Sequence, residues 1–135
     1  MKSINKLLIT GFYIANLLMI VLYLYPGSIL GCYLYNDCDI EPQITVNFVI
    51  SSNYWISSNH FYAFIVLSTL GIFAYRNTKK IKFLVKYLFL LSIILELLHI
   101  PIPIRAFEWG DLFGNILGIT LVLIIYKIKD KYVQN

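Results

Sequence analysis

Six polar residues between positions 60 and 115 of this 135-residue chain stand inside or at the edges of strongly apolar runs: His60, Glu96, His99, Arg105, Asp111 and Asn115. Ionisable side chains are costly in such surroundings, so each is a candidate for function by default. Glu96 and His99 are three residues apart, which places them on one face of a helix. Asp111, Asn115 and Gly118 fall at i, i+4 and i+7, again one face. A carboxyl among apolar groups with imidazoles nearby suits general acid–base work, which makes Glu96, His60 and His99 the catalytic candidates. Arg105 offers a planar fork of donors for phosphate or carboxylate. Together the six form a ligand-binding set for a lipid-linked phosphate or peptide head group. The plain alternative is structural. In it Glu96 or Asp111 pairs with Arg105, His60 and Asn115 satisfy backbone groups, and the network holds short helices together.

Other chemistries fit less well. Glu96-x-x-His99, with His60 and Asp111, has the spacing found in carboxylate metal bundles, but those use two such motifs and this chain has one. No metal and no cofactor are therefore expected. The chain has no Gly-x-Ser-x-Gly elbow, Walker loop or His-Glu-x-x-His motif. Its two cysteines, Cys32 and Cys38, have no zinc-finger spacing and no histidine near them in sequence. They stand close enough for a disulfide, and spacing alone leaves two unpaired thiols open as the alternative.

The elements that must position these residues follow from composition. Apolar residues make up 59% of the chain and charged residues 13%, against roughly 25% charged in soluble proteins. Such a chain cannot cover a globular surface with polar groups, so lipid must supply the apolar solvent. Four apolar runs, at about 7–25, 60–75, 83–100 and 112–127, predict an all-α integral membrane bundle of four transmembrane helices forming one domain over 1–135. The last three runs are short of the ~20 residues of a full span. Lys86 and Lys127 extend them by snorkelling, and polar outer ends let a helix begin among head groups. Ten of the eleven basic residues fall on one side of this arrangement, Arg105 being the exception, while Asp37, Asp39, Glu41, Glu108 and Asp111 fall on the other. The positive-inside rule then makes both termini cytoplasmic. The net charge of +4 is spread over these flanks, which excludes a nucleic-acid face.

Lys2 and Lys6 before the first run resemble a signal sequence, and Ile29-Leu30-Gly31-Cys32 resembles a lipoprotein cleavage box. The run exceeds a signal core of ~7–15 residues, so an uncleaved first span is expected. The outer loop, 26–59, is long for a helix–helix connection. Its β-prone patch at 44–50, with Tyr54 and Trp55, reads as a segment on the membrane surface or as one that re-enters or covers a ligand.

The order of polar residues resembles the VanZ-like family of small polytopic membrane proteins over about residues 56–126. That family places a His-Phe, a small residue and an aromatic at the start of a span, here His60, Phe61, Ala63 and Phe64. A later span carries Glu, then a Pro and an Arg, here Glu96, Pro103 and Arg105. The next opens with Asp, Asn and Gly, here Asp111, Asn115 and Gly118. This chain has Ile56 and Ser57 where the family often has Asp-Lys, His99 where Gln is common, and Val122 where a second Gly is common. The resemblance implies a multi-pass protein of the bacterial cytoplasmic (inner) membrane acting at the cell envelope. Two functions are then in play. One is binding of an envelope lipid or another amphipathic, glycopeptide-like small ligand at the His/Glu/Arg/Asp/Asn cluster. The other is a membrane-embedded enzyme with Glu96 as acid or base on a lipid-linked substrate. Membrane lipids are the expected partners, and the oligomeric state is not set by the sequence.

Overall fold

The computed structural model describes residues 2–40, 56–76 and 78–133, and these are helical with no strand among them. The helices are α1 (Lys2–Leu24), α2 (Ile29–Tyr35), α3 (Ser58–Tyr75), α4 (Ile81–Leu98) and α5 (Trp109–Val133). The patch at 44–50 and the aromatics Tyr54 and Trp55 lie outside the described residues.

Two stretches, Ile4–Leu24 and Trp109–Tyr132, are long and apolar enough to cross a membrane, with mean hydropathies of 2.2 and 1.7. The expectation of a short fourth run needs correction, because α5 has 25 residues. Its amphipathic lysine tail continues the helix through Lys127, Lys129 and Lys131. α3 and α4 have 18 residues each. Polar Asn59 and His60 open α3, and α4 carries Lys82, Lys86 and Glu96.

Side-chain contacts fix the directions of the helices. Phe12 and Tyr13 of α1 meet Tyr75 at the end of α3, while Tyr23 meets His60 at its start. α1 and α3 are therefore antiparallel. Asn16 bonds Tyr87, and the Tyr23 carbonyl bonds His99, so α1 and α4 run parallel. α5 runs parallel to α3, with Gly114 beside Ser57 and His60 and Gly118 beside Phe61 and Ile65. The start of α1, the α3–α4 turn and the end of α5 thus share one end of the bundle, and that end carries the lysines.

α3 is the central helix and packs most extensively on α5, then on α1. The closest approach is made by glycine. A Cβ at Gly114 would lie 2.6 Å from the Ser57 carbonyl oxygen, and one at Gly118 would lie 2.5 Å from that of Phe61. Gly114 and Gly118 form a small-xxx-small contact of the kind that lets helix backbones touch. Ala63 lines a cavity between α3 and α1. The apolar core comprises Phe12, Phe64, Leu67, Ile72, Leu84, Leu88, Leu95 and Ile119, among others.

The long outer loop is not all loop. Ser28 caps α2, its Oγ accepting from the Gly31 N–H at 3.0 Å. Asn36 ends it in the left-handed region, at φ 53°. Cys32 and Cys38 are joined by a disulfide. The Ser28 N–H donates to the Cys38 carbonyl at 2.7 Å, and Gly27, at φ 88°, leaves the room that this close approach needs. The segment that resembled a cleavage box is thus the start of a capped, bridged helix.

Candidate functional site

The end of the bundle opposite the lysines holds the polar residues in its interior. Three helices deliver them. His60 comes from the first turn of α3, Glu96 from the last turn of α4, and Asp111 and Asn115 from the first turns of α5. His99 follows Glu96 as the residue that ends α4, and Pro101 and Pro103 lie just beyond, where the helix cannot continue. His60, Glu96, His99 and Asn115 are all buried.

Their contacts form one network. His60 Nε2 lies 3.3 Å from Asp111 Oδ2. Glu96 Oε1 lies 3.4 Å from His99 Nδ1 and accepts the Glu108 N–H at 2.9 Å. His99 Nε2 lies 3.0 Å from the Tyr23 carbonyl oxygen. A carbonyl only accepts, so Nε2 carries a proton and donates. The facing Nδ1 and Oε1 are then held together by one more proton between them, on the imidazole or on the carboxyl. Asp111 lies in the first turn of α5, where the helix dipole favours an anion. α5 begins at Trp109, however, so Asp111 is inside the helix rather than its cap, and its carboxyl turns to His60.

Tyr23 is the centre of the network. Its phenol donates to Asn115 Oδ1 at 2.9 Å, and its ring lies 4.7 Å from that of His60. This residue and Gly114 were not singled out from the sequence. Nothing in the apolar run of Tyr23 marks it. The spacing of Gly114 and Gly118 was the available signal for the other.

Arg105 lies at the rim. Its Nε donates to the Tyr25 carbonyl at 3.2 Å and an Nη to the Gly27 carbonyl at 2.6 Å. It ties the α4–α5 connection to the turn between α1 and α2. The residue before it, Ile104, takes φ 69°, a conformation that β-branched residues rarely adopt.

A cavity of about 630 Å3 adjoins the network between α1, α2 and α3. Its walls are apolar, with Leu18, Leu22, Leu34, Ala63 and Val66 among them, and its polar end carries His60, His99 and Arg105. Leu18, Leu22, Leu34 and Val66 are also exposed, so the cavity opens sideways on the apolar surface of the bundle. His60, Glu96 and Asp111 each bring one potential metal-ligand atom within 4.8 Å of the others. His99, the partner in the Glu-x-x-His spacing, braces Glu96 through Oε1 instead.

The structure thus brings together His60, Glu96, His99, Asp111 and Asn115, with Arg105 at the edge of the same cavity. Cys32 and Cys38 bridge each other in the bend beside it. The chain matches no protein-family model, no curated protein and no solved structure.

Proposed function

We propose that this chain is a VanZ-like, four-span protein of the bacterial cytoplasmic membrane that binds an amphipathic envelope lipid. The lipid tail occupies the cavity between α1, α2 and α3, and its polar head meets His60, His99 and Arg105. The observation that carries this reading is the cavity itself, apolar along its walls, polar at one end and open sideways to where lipid would be. Ligand pockets are mostly apolar with a few convergent polar groups, and this one follows that pattern.

Several features support the membrane placement. Eighteen residues of helix give ~27 Å, close to the ~30 Å hydrocarbon layer, and Lys82 and Lys86 snorkel from α4. Large apolar side chains such as Leu17, Val21, Phe83, Leu90, Leu117 and Ile124 are exposed around the bundle, far more than water tolerates in one continuous belt. Lysines gather at one end only. Both termini then face the cytoplasm, and the polar site lies at the outer face. The three polar sets that resemble the VanZ-like pattern all belong to this one end.

The Glu96–His99 pair favours one second reading. A proton held between carboxyl and imidazole beside a substrate-sized cavity is the equipment of an acid–base enzyme acting on a lipid-linked substrate.

Native mass spectrometry of the purified protein tests the binding. The wild type retains a lipid adduct. Ala63→Trp, which fills the cavity, loses it while keeping a cooperative melt. An adduct retained at equal strength by Ala63→Trp contradicts the proposal.

A further inference from the structure

We infer that His60, Glu96 and Asp111 form a binding site for one divalent transition-metal ion of the zinc class, set at the polar end of the cavity. The inference goes beyond lipid binding and does not depend on it. Three facts carry it. One ligand atom from each residue lies within 4.8 Å of the other two. The His60–Asp111 edge is 3.3 Å. Ligands held ~2.0–2.2 Å from a tetrahedral zinc ion stand ~3.3–3.6 Å apart, so that edge is already at ligand spacing. The remaining atom, from Glu96, closes by no more than about 1.5 Å to complete the triangle, which a small side-chain rotation supplies.

The second fact is an unmet need. Glu96 has no exposed surface, and its Oε2 is a buried oxygen with no hydrogen-bond partner. Buried polar atoms are normally satisfied, and one left over in a network points to a missing group. A metal ion supplies what Oε2 lacks.

The third is orientation. Oε1 of Glu96 is held by His99 and by the Glu108 N–H, which leaves Oε2 as the ligating oxygen. Metal ligands are usually aimed by such outer partners, and His99 is therefore a positioning residue. The chemistry of the donors selects the ion. Two carboxylates match the charge of a divalent cation, and the imidazole favours zinc or a neighbouring transition metal over magnesium or calcium. Three protein ligands leave a coordination position for a water or for an oxyanionic head group in the cavity.

The test uses the full-length, tag-free protein in detergent, stripped with chelator and titrated with Zn2+ alone, then with Co2+. We expect one ion per chain by elemental analysis, a rise in Tm on Zn2+ addition, and visible d–d absorption with Co2+. Glu96→Gln and Asp111→Asn each weaken binding more than about 100-fold, and His99→Gln weakens it about 10–100-fold at unchanged stoichiometry. Mg2+ in place of Zn2+ leaves Tm unchanged. The Co2+ spectrum of the unaltered chain needs no variant, so misfolding of Glu96→Gln does not blunt the test. No saturable Zn2+ uptake by the wild type, or equal uptake by a folded Asp111→Asn, overturns the inference.

Discussion

The two ends of this bundle handle charge in opposite ways. At the lysine end, Lys6, Lys79, Lys80, Lys82, Lys86, Lys127, Lys129 and Lys131 are all exposed, and the interior between them is Phe12, Ile72, Leu84 and Leu88. Uncharged polar contacts tie the helices there, between the phenols of Tyr13 and Tyr75 and between Asn16 and Tyr87. At the opposite end three titratable groups, His60, Glu96 and His99, are inside and buried, while Asp37, Asp39 and Glu108 stay exposed. Charge on a surface orients a protein in a bilayer and does little for its packing. Charge in an interior costs stability unless it is partnered, and it persists where it serves specificity or function. In the proposed reading the lysine end is the anchor and the other end is the site.

Substitutions can break this contrast. The largest effect belongs to the contact that serves both ends. Gly118→Val places side-chain atoms against the Phe61 carbonyl, where even a Cβ lies at 2.5 Å. A backbone cannot yield as a side chain does, so the α3–α5 pair is expected to lose about 3 kcal/mol, the upper end of overpacking effects. Size-exclusion chromatography and a thermal melt should show an expanded or aggregated protein. Next in size is Leu88→Ala, which opens a hole in the lysine half, where Leu88 is fully buried. About 2 kcal/mol is expected, the low end for such a truncation, since lipid is as apolar as leucine and the transfer part is small. The lipid adduct should be unaffected, which sharpens the division between anchor and site. The smallest effect is Ile104→Asn. The left-handed conformation at Ile104 costs about 1 kcal/mol for a side chain that resists it, and asparagine tolerates it. A small rise in Tm is expected with no change in binding.

Much of this was legible in the sequence. The segregation of lysines from acids assigned the ends of the runs to two sides, and the helix directions agree with that assignment. Period-3.6 spacing put Glu96 with His99 and Asp111 with Asn115, because both pairs sit on long, regular helices where spacing alone sets the face. The rest depended on how helices meet. Tyr23 was not singled out because nothing in its own run marks the neighbours it will have. Gly114 was passed over although it stands four residues before Gly118. The helix α2 was missed because seven residues are too few for a clear helical period, although its Ser28 cap and the Cys32–Cys38 bridge are both local in sequence. The cavity arises where α1, α2 and α3 splay, which no single segment encodes. Arg105 was expected to meet an acid or a ligand. Its binding to the carbonyls of Tyr25 and Gly27 could not be foreseen without knowing that α1 ends beside the α4–α5 connection.

The account rests on an asymmetric four-span bundle with its polar end outside, and cysteine labelling in intact cells tests that most directly. The native cysteines are tied to each other and do not react. Single cysteines at Lys79, Glu108 and Lys131 place a thiol at exposed positions on the two ends. A membrane-impermeant maleimide is expected to label Glu108→Cys in intact cells, and Lys79→Cys and Lys131→Cys only after permeabilisation. Labelling of all three from the same side would contradict the four-span bundle, and labelling of Lys79→Cys and Lys131→Cys but not Glu108→Cys from outside would invert it.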